Sequence, residues 1–236
     1  MTVVAGDLVL SRGLVDVGLL TNHTDEMLSF WCDEVGLRVE RSLEPVPGVT
    51  QHKLTMGGAV LKLNCVDAPL PTRARLGGLR MLILAAADVD GPTHLRDPDG
   101  NQLCLVPPGF GHVTTLGVQF AVSDEPAFHD FFARILGLPR LAERTYDFAG
   151  AALSFAWSPD VVAGGPATGA SFGYLTFQVM DVVAAHALVC GRGAVEERPP
   201  SDKHTSSDAS ISFIRDPDGN RIELSQRPDL VVSANA

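Results

Sequence analysis

The hexapeptide RDPDGN stands twice in the chain, at 96–101 within THLRDPDGNQLCLV and at 215–220 within SFIRDPDGNRIELS. Its chemistry is that of a tight turn. Proline fixes φ near −65°, aspartate bonds the local backbone, and glycine accepts a positive φ. Apolar residues flank each copy, so each reads as the turn of a β-hairpin. Such a turn carries no reaction of its own, but its repetition constrains the fold, because it implies one unit used more than once. The flanks extend the repeat: residues 14–37 match 115–138 at a constant offset of 101 (138 against 37). The turns are offset by 119 (215 against 96), so the first copy is 18 residues shorter between its helix and its turn.

Each front half has the same grammar. A short apolar run reads as a strand (Val15, Val17 and Leu19; then Val118 and Phe120), and an amphipathic helix follows. In the second copy Phe128, Phe131, Phe132 and Ile135 form one helical stripe. In the first copy Thr24 is the expected N-cap, and Met27, Phe30 and Trp31 form the matching stripe. Gly36 and Gly137 end the two helices. The second copy then repeats strand, helix and strands (GYLTFQV, DVVAAHALVC, ISFI, RIEL), whereas the first runs from Asp88 to Thr93 with no room for a helix. The expected fold class is α+β, with a first module at 1–108, a linker at 109–112, a second module at 113–227 and a tail at 228–236.

Composition narrows the partners. The net charge is −10, the pI is about 5.0, and the 18 Lys and Arg residues are scattered. A duplex-binding surface needs them clustered, so nucleic acid is not an expected partner. Asp7, Arg12 and Asp16 interrupt the apolar start, which fits neither a leader peptide nor a spanning helix. Cys32, Cys65, Cys104 and Cys190 show no C-x-x-C spacing, and a cytoplasmic protein with reduced thiols is expected. A phosphate-loop motif is lacking.

The repeated β-α-β-β-β grammar, closed by a hairpin of the form R-D-P-D-G-N-x-I-E-L, resembles the vicinal oxygen chelate superfamily over residues 12–226. That group includes glyoxalase I, bleomycin-resistance proteins, extradiol ring-cleavage dioxygenases and epimerases. The resemblance implies curled mixed sheets around a cavity, with two units per module and two modules in tandem. It also implies a divalent metal held by side chains of the first and last strand of each unit: His or Gln, Glu or Gln, His, and Glu. The aligned positions here are Asp16, Lys62, Met81 and Cys104 in the first module, and Gly117, Ser154, Tyr174 and Glu223 in the second. In the second module only Glu223 can be a strong ligand; in the first, Asp16 and Cys104 could ligate in principle, but Lys62 opposes a divalent ion. Cys104 stands where the family has Glu, and Lys62 brings a cation into the pocket. Three protein ligands are the usual requirement for a catalytic metal, so no cofactor is expected; if one is present, it is divalent Fe, Mn or Zn.

The site expected from the resemblance has Glu223 and Tyr174 as catalytic residues. Ser154, His204, Asp16, Lys62 and Cys104 are the expected ligand-binding residues. Glu223 is read as a carboxylate in a largely apolar cup, where desolvation suits it to proton transfer, with Tyr174 donating a hydrogen bond to a carbonyl or enolate oxygen. Tyr174, Ser154 and Glu223 are expected in one pocket, and Lys62 and Asp16 are expected to pair across a smaller one. The function read from this is binding of a small carbonyl-bearing or aromatic molecule, with metal-free isomerase or lyase chemistry. The alternatives are a metal-dependent dioxygenase or glyoxalase and a drug-sequestering protein. The expected partner is a small molecule, with neither nucleic acid nor membrane, and a homodimer as the assembly the resemblance allows.

Overall fold

The computed structural model describes residues 3–71, 78–161, 169–201 and 209–235. A hairpin of β1 (Val3–Ala5) and β2 (Leu8–Leu10) opens the chain. It leads to β3 (Asp16–Thr21), α1 (Thr24–Leu28), β4 (Arg38–Val46), β5 (Val49–Met56) and β6 (Ala59–Val66). The next quarter has strands only: β7 (Leu79–Ala85), β8 (Thr93–Arg96) and β9 (Gln102–Val106). The grammar then restarts with β10 (Leu116–Val122), α2 (Glu125–Asp130), β11 (Arg140–Ala142), β12 (Thr145–Phe148) and β13 (Ala151–Trp157). It closes with β14 (Ser171–Gln178), α3 (Val182–Gly191), β15 (Val195–Ser201), β16 (Ser210–Arg215), β17 (Arg221–Gln226) and a terminal α4 (Pro228–Asn235). No helix of the described residues is long and apolar enough to cross a membrane.

The pairing of these quarters positions the site. An eight-stranded sheet runs β15-β16-β17-β14-β3-β6-β5-β4, and a seven-stranded sheet runs β11-β12-β13-β10-β7-β9-β8. The larger sheet joins the first quarter to the last, along an antiparallel seam between β3 and β14. The smaller joins the second to the third, along the seam between β10 and β7. Within each quarter the first and last strands run parallel, as in β3 with β6 and β14 with β17. Neither sheet is therefore made from one contiguous half of the sequence.

Strand alternation sends one face of each sheet to a common core. Val17, Leu19, Leu61, Leu63, Leu175, Phe177, Ile222 and Leu224 of the larger sheet join Val118, Phe120, Leu153 and Phe155 of the smaller in one buried cluster. Phe148 and Phe177 stack across the sheets with ring centroids 4.0 Å apart. The helical stripes close this core, with Met27, Phe30 and Trp31 buried in the first copy and Phe128, Phe131, Phe132 and Ile135 in the second. Both helices pass into a π-helical turn, at Ser29–Glu34 and Phe131–Ile135, before a glycine of positive φ (Gly36 at 82°, Gly137 at 71°). The cap of the first helix differs from expectation. Thr24 is already helical, His23 is the cap residue, and it is the Thr21 hydroxyl that accepts the His23 N–H, at 2.9 Å.

The two RDPDGN runs occupy equivalent hairpins, β8–β9 and β16–β17. Asp97 accepts from the N–H and side-chain amide of Asn101, and Asp216 does the same with Asn220. Gly100 and Gly219 take φ of 80° and 87°. The second aspartate of each turn reaches across to the start of a helix: Asp99 meets His23 at 2.7 Å, and Asp218 accepts the Ser123 N–H at 3.0 Å. Between β7 and β8 there is no helix, as the missing residues of the first copy require.

Candidate functional site

The face of the larger sheet turned away from the core is polar and concave. Alternation places Asp16, Gly18 and Leu20 of β3 on it, with Gln51 and Lys53 of β5 and Lys62 and Asn64 of β6. From the last quarter come Tyr174, Thr176 and Gln178 of β14 and Glu223 and Ser225 of β17. Most of these line a cavity of about 290 Å³, with Leu43, Val46, Val49 and Ile211 as an apolar rim.

One glycine shapes the floor. A Cβ at Gly18 would lie 2.2 Å from Tyr174 Cε1, so only glycine lets the tyrosine ring lie across β3 at the seam. Lys62 sits beside it, its Nζ 5.4 Å from the ring centroid. That ammonium donates to Thr176 Oγ1 at 2.7 Å and to Glu223 Oε1 at 2.9 Å, and both Lys62 and Glu223 are buried. Burial opposes the lysine charge, but Glu223, Tyr174 and Asp16 outweigh it and raise the Lys62 pKa. Burial also raises the Tyr174 pKa, against the pull of Lys62, so its phenol stays protonated. Asn64 Nδ2 donates to the phenol oxygen at 3.4 Å, which leaves the phenol proton available to a ligand.

Asp16 is fully engaged. It accepts from the Arg12 guanidinium, from Gln178 Nε2 at 2.8 Å and from the Val60 N–H at 2.9 Å. The expectation that Asp16 and Lys62 pair across a smaller pocket is corrected in the pairing alone: both line such a pocket, but Lys62 pairs with Glu223. The cause is the strand order: β3 and β6 share a sheet with β14 and β17, so Lys62, Tyr174 and Glu223 enter one cup, while Asp16 lines a smaller pocket of about 80 Å³ that adjoins it at Lys53, Lys62 and Arg227. Glu223 is also not a lone carboxylate among apolar groups. It is one half of a buried ion pair.

Ser154 and Cys104 lie in the other sheet, on β13 and β9. The structure does not bring Ser154 to Tyr174 and Glu223. Its hydroxyl donates weakly to the Val118 carbonyl oxygen at 3.4 Å. Around it the second concave face is filled by Met81, Cys104, Val106, Val113 and Ala152. A Cβ on Gly117 would come within 2.7 Å of Val113 Cγ2, which shows how tightly that valine plugs the space. Burial raises the Cys104 thiol pKa, and His94 Nε2 stands 3.9 Å from its sulfur. His204 lies outside the described residues.

Sequence reasoning missed Lys53, Thr176, Asn64 and Gln178. The signal for them was alternation: Thr176 and Gln178 follow Tyr174 at steps of two, and Lys53 sits beside His52 in TQHKLT, on the opposite face. His52 itself faces Ser42, at 2.7 Å.

A divalent metal does not fit the four aligned positions of either sheet. In the smaller sheet they are Gly117, Ser154, Met81 and Cys104; in the larger, Lys62 Nζ is bonded to the one aligned carboxylate not already engaged. A cation there would meet a cation. Among the described residues, His186, Cys190 and Glu196 form a group able to hold a metal ion, between α3 and β15 and apart from the cup. Its members already interact, with His186 Nε2 2.8 Å from Glu196 Oε2 and 3.5 Å from Cys190 Sγ.

Comparison with known proteins accords with this architecture. Residues 109–224 match the family model of the Glyoxalase/Bleomycin resistance protein/Dioxygenase superfamily. No curated protein matches the chain in sequence. Among solved structures, a mutant of glyoxalase I from Zea mays superposes with a TM-score of 0.74 at 15% identity, covering 95% of this chain and 97% of that one. A putative dioxygenase from Bacillus subtilis gives a TM-score of 0.71 at 14% identity, covering 92% and 86%. At such identities the likeness is one of fold. The matched segment places residues 109–224 in the Glyoxalase/Bleomycin resistance protein/Dioxygenase superfamily, and the repeated units and the shared fold extend the likeness over the rest of the chain.

Proposed function

We propose that the chain binds a small carbonyl-bearing organic molecule in the cup of the larger sheet, without a metal of the superfamily's usual type. The observation that carries this reading is the buried Lys62–Glu223 pair at 2.9 Å, which puts an ammonium inside the cavity. A carbonyl oxygen placed there would accept from the Tyr174 hydroxyl, and Lys62 would stabilise negative charge developing on that oxygen. The pair Tyr174 and Glu223, with Lys62 between them, then suits proton transfer next to a carbonyl, the core of isomerase and lyase chemistry. Asp16 acts one layer out by fixing Arg12 and Gln178. Ser154 and Cys104 have no place in this reading, and the stretches 1–108 and 113–227 are read as duplicated units that exchange halves to build the cup.

The test is a thermal-shift and calorimetric screen of small aldehydes, ketones and oxo acids against the whole chain. Binders that Tyr174→Phe and Glu223→Gln both weaken support the cup as the site. Binders indifferent to both changes, yet weakened by changes at Ser154 or Cys104, would move the site to the smaller sheet.

A further inference from the structure

The chain has 18 Lys and Arg residues, and only Lys53, Lys62 and Lys203 among them are lysines. Lys203 lies outside the described residues. The other two stand directly opposite each other on β5 and β6, both point into the cup, and each is 7% exposed. Arginine cannot give up its proton in a protein, whereas a buried lysine can. The placement of the two lysines is therefore a chemical distinction.

Their surroundings differ. Lys62 has Glu223 and Thr176, but Lys53 has neither hydrogen bond nor ion pair with any described residue. The charged groups around it come from every neighbouring element. Arg12 precedes β3 and Asp16 lies on it, Arg41 and Glu40 belong to β4, Lys62 to β6 and Glu223 to β17, and Arg227 and Asp229 follow β17. Three of the acids are taken: Asp16 holds Arg12 and Gln178, Asp229 bonds Arg227 at 2.8 Å, and Glu223 bonds Lys62. Lys53 is thus a buried amine facing cations, a situation relieved by losing its own charge. Burial first, then Arg227, Arg41 and Lys62, bring its pKa down to about 7. A desolvated lysine beside another cation is an activated nucleophile, reactive toward carbonyl carbon.

We propose that Lys53 is a nucleophile of this cup, and that its Nζ condenses with the carbonyl group of a small oxo acid to form an imine. The inference rests on the cup being the ligand site. In the step, the nitrogen lone pair attacks the carbonyl carbon and a C–N bond forms. The carbonyl oxygen then leaves as water with the two protons of the neutral amine, giving C=N and balancing the atoms without an oxidant or reductant. The acid group of the ligand is the part recognised by the positive charge of Arg227 and Lys62, which line the cup beside Lys53.

The experiment is reductive trapping of the full chain with pyruvate and cyanoborohydride, read by intact mass and peptide mapping. The expected result is one adduct, on Lys53, with Lys62 unmodified and a labelling rate that rises through about pH 7. Lys53→Met, which removes an uncompensated buried charge and so should fold at least as well, loses that adduct completely. A chain labelled at Lys203 or the N-terminus as fast as at Lys53, or a Lys53 rate that rises only near pH 10, overturns the proposal. Pyruvate without reductant separates the two layers of the argument. Stabilisation by pyruvate, sensitive to Tyr174→Phe but with no trapped adduct, refutes the imine while the cup stands. Neither stabilisation nor an adduct, from pyruvate or from any carbonyl compound of the wider screen, refutes both.

Discussion

Lys62 and Glu223 lie 161 positions apart in the sequence and 2.9 Å apart in the fold, with side chains about nine-tenths buried. Removing one partner of such a pair leaves a buried charge uncompensated, at a cost of about 3–5 kcal/mol. Glu223→Gln is therefore expected to lower unfolding stability by that order in denaturant titrations, and Lys62→Met/Glu223→Leu together should recover most of the loss. Full additivity of the two single changes would contradict the pairing. Lys53 gives a pH signature of opposite kind. Its folded pKa is depressed to about 7, below an unfolded value near 10.4, so between these values the unfolded chain holds a proton that the folded chain lacks. Stability should rise with pH across that window and fall as pH drops toward 7; Lys53→Met should flatten the slope and stabilise the protein below pH 7. Asp97 and Asp216, which burial raises to about 6 and about 7, titrate at or below the lower edge of this window. A wild-type slope that survives in Lys53→Met would place the titration elsewhere.

At the scale of elements, the RDPDGN hairpins show what local sequence can specify. The turn type, the positive φ of the glycine and the flanking alternation are all properties of a few adjacent residues, and each is seen in the structure at both copies. Asp216 is an acceptor for the N–H groups of Asp218 and Asn220 and for the Asn220 side chain. Asp216→Ala leaves these donors without that partner and should cost about 1–3 kcal/mol, read as a lowered denaturation midpoint with unchanged slope. The same loss is expected at Asp97, and a neutral result at both would remove the aspartate from its place in the turn. The helical stripes were equally legible, because a period of 3.6 is local. Legibility failed at the cap, where Thr21 and not Thr24 supplies the hydroxyl, and at the π-helical turns, which no residue spacing announces. The functional face was half legible. The alternation that marks Glu223 also marks Thr176 and Lys53, but only a known partner strand tells which face is concave.

At the scale of the whole molecule, the duplication itself hid the arrangement of the site. Four similar units can pair as first with second and third with fourth, or as first with fourth and second with third, and a repeat does not say which. The sheets take the second pattern, so Ser154 parts from Glu223 while Lys62 joins it. Cutting the chain between residues 109 and 112 should therefore leave each half without its antiparallel seam, with open strand edges at β3, β7, β10 or β14. Light scattering should find either half alone self-associated, and the two halves mixed should form a one-to-one complex; a stable, separate monomer from either half would contradict the interleaved sheets. The central claim, that an ammonium–carboxylate pair holds the place a metal would need, has its most direct test in elemental analysis of chelator-free protein after incubation with Fe(II), Mn(II) and Zn(II). The account predicts no ion that depends on Glu223: whatever the wild type retains, at the His186–Cys190–Glu196 group or elsewhere, Glu223→Ala should retain as well. Near-stoichiometric metal in the wild type, lost on Glu223→Ala, would contradict it.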